Sequence, residues 1–428
     1  MKNDRPITAV IVGAGHRSLI YGSYALKHPD QFKIVGVVDP NPVRREQACK
    51  MFSISQENAF TSIDELLDRP LIADAAINGT MDSLHVPLTI PLLKKGYNVL
   101  LEKPIGTSKE EVLNLWRAAQ ETGKLVMICH VLRYAPFYVE IKKLIAAGKI
   151  GKIIHIETTE NVSYHHMATA FVRGKWSSKA KCGSSFLMAK CCHDLDIISW
   201  LKSGVAPTSV ASFGHLTQFK KESAPEGAGI RCLTDCKIED QCPYSAKRLH
   251  IDKGLWGSYA WESIEHLGGN NAPIDVKIES LKTNNPYGRC VWHCDNDIVD
   301  HQSVIIQFED GCIAVHNLIG ATAKPCRTIH IVGTQGEIKG IMEDGQFVIR
   351  YPYLEVGKEY VEEMVRVNTR NEMHGGEDLR LVQDFIRRLR GEDPSISSTV
   401  LEDSIYGHLI GFAVDQSMDE KRNIDIKI

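Results

Sequence analysis

The chain has 428 residues, 43% hydrophobic and 24% charged, enough for more than one core. Fifty Lys and Arg against 53 Asp and Glu leave a formal charge of -3, which argues against a nucleic-acid or anionic-membrane partner and for a small molecule. No apolar run nears the roughly 20 residues of a membrane span, and the start lacks the order of a signal peptide, so a cytoplasmic protein with reduced thiols is expected despite 12 Cys.

Residues 7–13 form an apolar, β-branched run that ends at glycine, the pattern of a strand buried on both faces of a parallel sheet. Gly13-Ala14-Gly15-His16-Arg17-Ser18 follows, leading into a helix predicted over 19–27. The first glycine permits a tight turn, and the second lets a pyrophosphate approach backbone N–H groups at a helix start. Ser18 stands where a third glycine is usual. A second strand over 33–38 ends at Asp39, whose carboxylate can accept ribose hydroxyls and would repel a 2'-phosphate. That favours NAD over NADP, with Arg17, Arg44 and Arg45 keeping NADP open. Asp39 also reads as a helix N-cap in the turn Asp-Pro-Asn-Pro.

The alternation continues with helices over 42–52 and 63–67, a strand over 73–77, a helix over 86–95, a strand over 98–101, a helix over 109–122 and a strand over 125–129. Repeated βα units predict an α/β fold with a doubly wound, Rossmann-type parallel sheet in residues 1–130. Ligands bind such sheets beyond the carboxyl ends of the strands, which gathers residues 78–82, Glu102, Lys103 and His130 around one crevice.

At Glu102-Lys103-Pro104 the chain resembles the Gfo/Idh/MocA family of sugar, inositol and related dehydrogenases. The resemblance extends through the glycine turn, Asp39, NGTMDSLHVPL (78–88), HVLRYAP (130–136), AAGKIGKI (146–153), KCCHDLD (190–196) and the helix after Thr399. It implies a second domain, 131–428, of α+β type with a large open, mainly antiparallel sheet. One face of that sheet would pack on the nucleotide domain and the other would serve a homodimer or homotetramer, while C-terminal helices pack back toward the first domain. It also implies NAD held by Gly13, Gly15, His16, Arg17, Asp39, Asn78, Thr80, His85, Glu102 and Lys103. Lys103 would lie beside the nicotinamide and the reacting hydroxyl, and His193 would transfer the proton.

The family's usual aspartate, four residues before that histidine, is Ala189 here. Lys190 would share the helical face of His193 and keep its imidazole neutral. Arg133, Tyr134, His165, Arg173, Trp176, Asp196 and His374 are the substrate candidates, gripping a polyol, sugar or glycoside between the domains.

Cys232, Cys236 and Cys242 stand as C-x3-C-x5-C, with Cys290, His293 and Cys294 further on. Such ligands suit zinc or an iron–sulfur cluster, but paired CxxC elements are missing, so reduced, partly buried thiols and no metal are expected. Residues 287–302 bring Asn296, Asp297, Asp300 and His301 into a loop that either reaches substrate or is a solvated turn. Residues 220–229 read as a connector inside the second domain.

The expected activity is hydride transfer to NAD from a secondary hydroxyl of a sugar, glycoside or cyclitol, with His193 as base and Lys103 polarising the hydroxyl. Two alternatives stand beside it. One is an NAD-dependent glycosidase acting through transient oxidation and elimination, and the other is a non-catalytic NAD(H)-sensing protein.

Overall fold

In the computed structural model, which describes residues 5–353, 355–368 and 376–427, the apolar runs of the first 130 residues become six strands. They are β1 (Ile7–Val12), β2 (Phe32–Val38), β3 (Ala59–Phe60), β4 (Ala75–Asn78), β5 (Asn98–Leu101) and β6 (Val126–Ile128). All pair in parallel, in the order β3-β2-β1-β4-β5-β6. Successive side chains enter opposite cores: Ala9 and Ile11 meet Tyr21 and Phe52 on one side, and Val10 and Val12 meet Leu92 and Leu101 on the other. Strand order reverses between β1 and β4, which opens a crevice beyond their carboxyl ends.

The helix predicted over 19–27 begins earlier and breaks at Ser23, giving His16–Gly22 and Tyr24–Lys27. Gly22 packs so closely on the next helix that a Cβ there would lie 2.9 Å from Phe52 Cζ. The two-residue strand β3 is too short to carry a periodicity and was not foreseen.

The second sheet has nine strands: β7 (Ile153–Ser163), β8 (Pro207–His215), β9 (His301–Phe308), β10 (Ile313–Thr322), β11 (Cys326–Gly333), β12 (Glu337–Ile341), β13 (Gln346–Pro352), β14 (Tyr360–Arg366) and β15 (Ile424–Asp425). Their order is β14-β13-β12-β11-β7-β10-β9-β8-β15, antiparallel except for β7 with β10. β9 shows why one face is a core: Gln302, Val304, Ile306 and Phe308 are buried, and the residues between them are exposed. The buried face packs on helices Pro136–Ala146, Cys192–Leu201 and Leu401–Glu420. The outer face leaves Phe213, Ile305 and Ile319 exposed.

The last two long helices return to the first sheet. Leu381, Val382 and Phe385 join one of its cores, and Leu401 and Ile405 the other. Between β8 and β9, residues 216–300 fold as short helical turns around a small core containing Ala260, Trp261, Ile264 and Leu281. Arg44 ties that segment to the nucleotide domain through Glu262 at 2.6 Å and Glu265 at 3.0 Å. Among the described residues no helix is long and apolar enough to cross a membrane.

A buried ion pair fixes the junction of the two domains. Arg133 donates from Nε to Asp196 Oδ2 at 2.7 Å and from Nη2 to Asp196 Oδ1 at 2.6 Å, and it also bonds Ser398 O and Asp403 O. Arg133 is 1% exposed and Asp196 0%. Both saturate each other out of reach of a ligand, which corrects their reading as substrate contacts. Tyr134 is corrected likewise, since its buried hydroxyl donates to Asp384 Oδ2 at 2.8 Å. Removing one partner of such a pair strands a buried charge. Asp196→Ala is therefore expected to lower unfolding free energy by about 3–5 kcal/mol in denaturant titration; a loss under about 1 kcal/mol, as for an exposed pair, would contradict the assignment.

Candidate active site

The turn after β1 is built for close approach. Gly13 has φ +79°, and a Cβ there would lie 2.8 Å from Thr80 Cγ2. Its N–H donates to Val38 O, and Ala14 N–H donates to Asp39 Oδ2, each at 2.8 Å. Asp39 also accepts from Asn41 N at 2.8 Å, whereas the cap of the next helix is Asn41, whose side chain accepts from Val43 N. Asp39 thus fastens the glycine turn to the end of β2, with carboxylate lone pairs left for ribose hydroxyls. Ser18 is fully buried, and a Cβ on Gly79 would collide with its Oγ. The small residue that close helix–strand packing demands has moved from position 18 to position 79.

Several expected cofactor contacts act from behind. Arg17 donates to Glu102 Oε1 at 2.8 Å and pairs with Asp378 at 2.5 Å, while Tyr21 Oη donates to the same Glu102 oxygen. Burial would raise the Glu102 pKa, but Arg17 and Lys103 outweigh it and hold the carboxyl below its usual range. Asn78 Nδ2 donates to His85 O and Thr89 Oγ1, and its Oδ1 accepts from Thr80 Oγ1. His85 bonds Pro104 O at 2.5 Å and Thr80 O at 3.2 Å. Asn78 and His85 are buried, so they brace the Thr80 loop and the Lys103 turn instead of reaching the crevice. A cleft of about 570 Å³ runs between the glycine turn and the 216–300 segment, lined in part by Gly15, His16, Leu19, Arg44, Tyr259 and Trp261.

Lys103 leaves the end of β5 at a cis Lys103–Pro104 peptide and donates from Nζ to Ala189 O at 2.8 Å. Residues Leu187–Cys191 form a π-helical turn, a geometry that recurs at functional sites. A backbone carbonyl at position 189 therefore takes the ammonium where the resembled family has an aspartate. Burial would lower the Lys103 pKa, but Cys192, Glu102 and Asp82 raise it further, so the group is a cation.

His193 lies in the first turn of helix Cys192–Leu201, its ring 5.7 Å from His130 in an edge-on contact. Its Nδ1 is buried without a partner among the described residues. Burial first, then Lys103 and His130, push its pKa well below the usual histidine value, so the imidazole is neutral at pH 7. Lys190 contributes least of the neighbours named for that shift. Because the turn before His193 is π-helical, Lys190 does not take the expected helical register; it pairs with Glu160 at 3.1 Å, and Arg327 bridges Glu160 and Asp194.

The substrate candidates separate. Arg173 is buried and donates to Arg289 O and Tyr244 O, which removes it from the substrate list. Asp297 caps the turn at Lys179 and Asp300 accepts from Thr217 N and Gln218 N, so that loop is held by local hydrogen bonds. His374 lies outside the described residues. His165 and Trp176 do face a common aromatic group: Trp256 Nε1 donates to His165 Nδ1 at 3.0 Å, His166 stacks on Trp256 at 4.2 Å, and Trp176 meets Tyr259 edge-on at 5.9 Å.

Tyr259 lines the cleft, and burial pushes its pKa up. Trp256 holds φ +60°, a conformation that strains a bulky residue. Sequence reasoning missed Trp256, Tyr259 and His408, whose Nε2 accepts from Ile105 N behind the Lys103 turn. The aromatic run at 256, 259 and 261 was the available signal for the first two; His408, inside a long helix, offered none.

Residues 7–130 match the oxidoreductase family, NAD-binding Rossmann fold, and residues 142–426 match the oxidoreductase family, C-terminal alpha/beta domain. The chain belongs to the Gfo/Idh/MocA oxidoreductase family. It is 25% identical over 411 residues to the putative oxidoreductase YteT of Bacillus subtilis strain 168, covering 92% of each chain. It is 27% identical to scyllo-inositol 2-dehydrogenase (NAD(+)) of the same organism, over 50% of this chain and 58% of that enzyme. In fold it is similar to levoglucosan dehydrogenase solved with NADH and levoglucosan, at TM-score 0.71, 16% identity, and coverage of 99% of this chain and 100% of that one.

This family member is an NAD-binding dehydrogenase, and in its glycine turn Gly13 leaves no room for a side chain. Gly13→Ala places a side chain at positive φ against Thr80 and is expected to weaken NADH binding by at least about tenfold in a fluorescence titration. Unchanged affinity would show that the turn is not the pyrophosphate seat.

Proposed function

We propose that this enzyme oxidises a secondary hydroxyl of a sugar, glycoside or cyclitol with NAD, using His193 as base and Lys103 to polarise the hydroxyl. The observation that carries this reading is the convergence of a buried ammonium and a neutral imidazole: Lys103 bonds the carbonyl of Ala189, four residues before His193, and is the strongest charged influence on its ring. NAD bound along the glycine turn supplies a nicotinamide ring that accepts the carbinol hydride.

The chain's own part is to orient and to move one proton. Ala14 and Gly15 backbone, His16 and Asp39 would hold the dinucleotide, with Arg17 and Arg44 already paired to carboxylates and so poorly placed for a 2'-phosphate. Lys103 stabilises negative charge as it develops on the hydroxyl oxygen. With Nδ1 of His193 sealed in protein, proton acceptance falls to Nε2. Trp176, Trp256 and Tyr259 form the aromatic wall, suited to the apolar face of a pyranose or cyclitol ring. The inositol and levoglucosan named for the relatives are cyclic polyols of that kind.

A panel of cyclic polyols and glycosides, followed by NADH absorbance and product analysis, tests the reading. Ketone and NADH are expected in equal amounts from at least one member. Lys103→Met and His193→Asn should each lower kcat by about 10²–10⁴-fold while NADH affinity stays within about threefold. Glycoside cleavage without NADH accumulation, or tight NADH binding with no turnover across the panel, would refute net oxidation.

A further inference from the structure

Three guanidiniums meet beside the 216–300 segment, and Asp235 is the acidic neighbour that acts on one of them, Arg231. Arg173, 1% exposed, reaches in from the domain core; its Nε and Nη2 donate to Arg289 O and Tyr244 O, and its Nη1 has no partner among the described residues. Arg289 donates to Pro286 O and Arg173 O, and Arg231 to Leu281 O and Asn285 O. All these acceptors are neutral carbonyls, and among the described residues none of the three guanidiniums pairs with a carboxylate. A guanidinium does not deprotonate on burial, so neutral partners alone leave its charge poorly compensated.

The remaining side chain against Arg173 is a thiol, with Nη2 3.5 Å from Cys232 Sγ. Cys232 N donates to Gly288 O and Cys290 N to Ile230 O, around an antiparallel bridge between Arg231 and Arg289. That pairing makes Cys232 and Cys290 diagonal neighbours on one face of the short ladder. Cys236 and Cys242 are drawn toward the same place: a Cβ on Gly229 would lie 2.6 Å from Cys236 N, and Arg173 Nη2, beside Cys232 Sγ, also donates to Tyr244 O, two residues after Cys242. None of the four is in a disulfide.

We infer that Cys232, Cys236, Cys242 and Cys290 ligate an iron–sulfur cluster seated beside Arg173. Four thiolates leave such a centre with net negative charge, which answers the buried Arg173 guanidinium. The metal displaces the thiol protons as it binds, overcoming the burial that otherwise keeps Cys242 and Cys290 protonated. Among the described residues the one trio of ligand atoms mutually within 4.8 Å is Cys191, Asp194 and His316. The Cys232 group is therefore more open than a single tetrahedral ion at about 2.3 Å from each sulfur requires, which favours the larger iron–sulfur unit.

The centre would pin the segment that carries Trp256, Tyr259, Glu262 and Glu265 over the cofactor cleft. This inference does not depend on the substrate.

The test is metal and acid-labile sulfide analysis of the full-length protein purified without oxygen or added metal. Iron with matching acid-labile sulfide is expected. Cys232→Ser with Cys290→Ser should lose it, and Cys326→Ser, at the start of β11 in the large sheet, should keep it. Less than about a tenth of an iron per chain, zinc without sulfide, or full iron in the double variant overturns the inference. Should the double variant not fold, mercurial titration of the wild-type protein decides. Release must track modification of these four cysteines, and free labelling of all four before any release overturns the inference equally.

Discussion

The architecture rests on keeping a cation and an uncharged base side by side in a buried crevice. An ammonium removed from water tends to lose its proton, and an imidazole beside a cation refuses one. Lys103 resolves the first problem with Cys192, Glu102 and Asp82 as neighbours and the Ala189 carbonyl as acceptor. His193 shows the second, its pKa driven down by burial and by Lys103. A histidine whose pKa is depressed stays neutral until the pH falls below that depressed value, so the His193 imidazole is uncharged throughout the neutral range.

Around this pair, opposite charges are gathered in groups. Arg17 with Glu102 and Asp378, Arg133 with Asp196, and Arg327 with Glu160, Asp194 and Lys190 each match opposite charges within hydrogen-bonding reach or close to it. The first braces the carboxylate behind Lys103, and the second locks the helix that carries His193 to the chain leaving β6. Between them they set the distance between the two domains' contributions to the site.

Much of this was legible in the sequence, for identifiable reasons. Parallel strands buried on both faces leave unbroken apolar runs, and the strand at Asn98–Leu101 and helices at Pro42–Phe52 and Lys109–Thr122 lie where periodicity put them. Lys103 and His193 were singled out because motifs name them, and Lys103 does act on the His193 ring. Arg133, Asp196, Arg173 and Asn78 were misassigned because residue type advertises hydrogen-bonding capacity but not the partner, and their partners stand far along the chain or on another element. Trp256 and Tyr259 were missed because a segment of short turns has no period to read. Ala189 stands where the family has an aspartate; a π-helical turn, invisible to a 3.6-residue pattern, offers its carbonyl to Lys103 instead.

The most direct measurement is the protonation of His193 itself, followed by NMR on histidine-labelled protein and assigned by comparison with His193→Asn. A neutral imidazole from pH 8 down past pH 6 is the result that follows from the burial and from Lys103 at its side. A titration centred at the ordinary histidine value of about 6.5 would mean that the ring is solvated and far from the ammonium, and the account of the site would not stand.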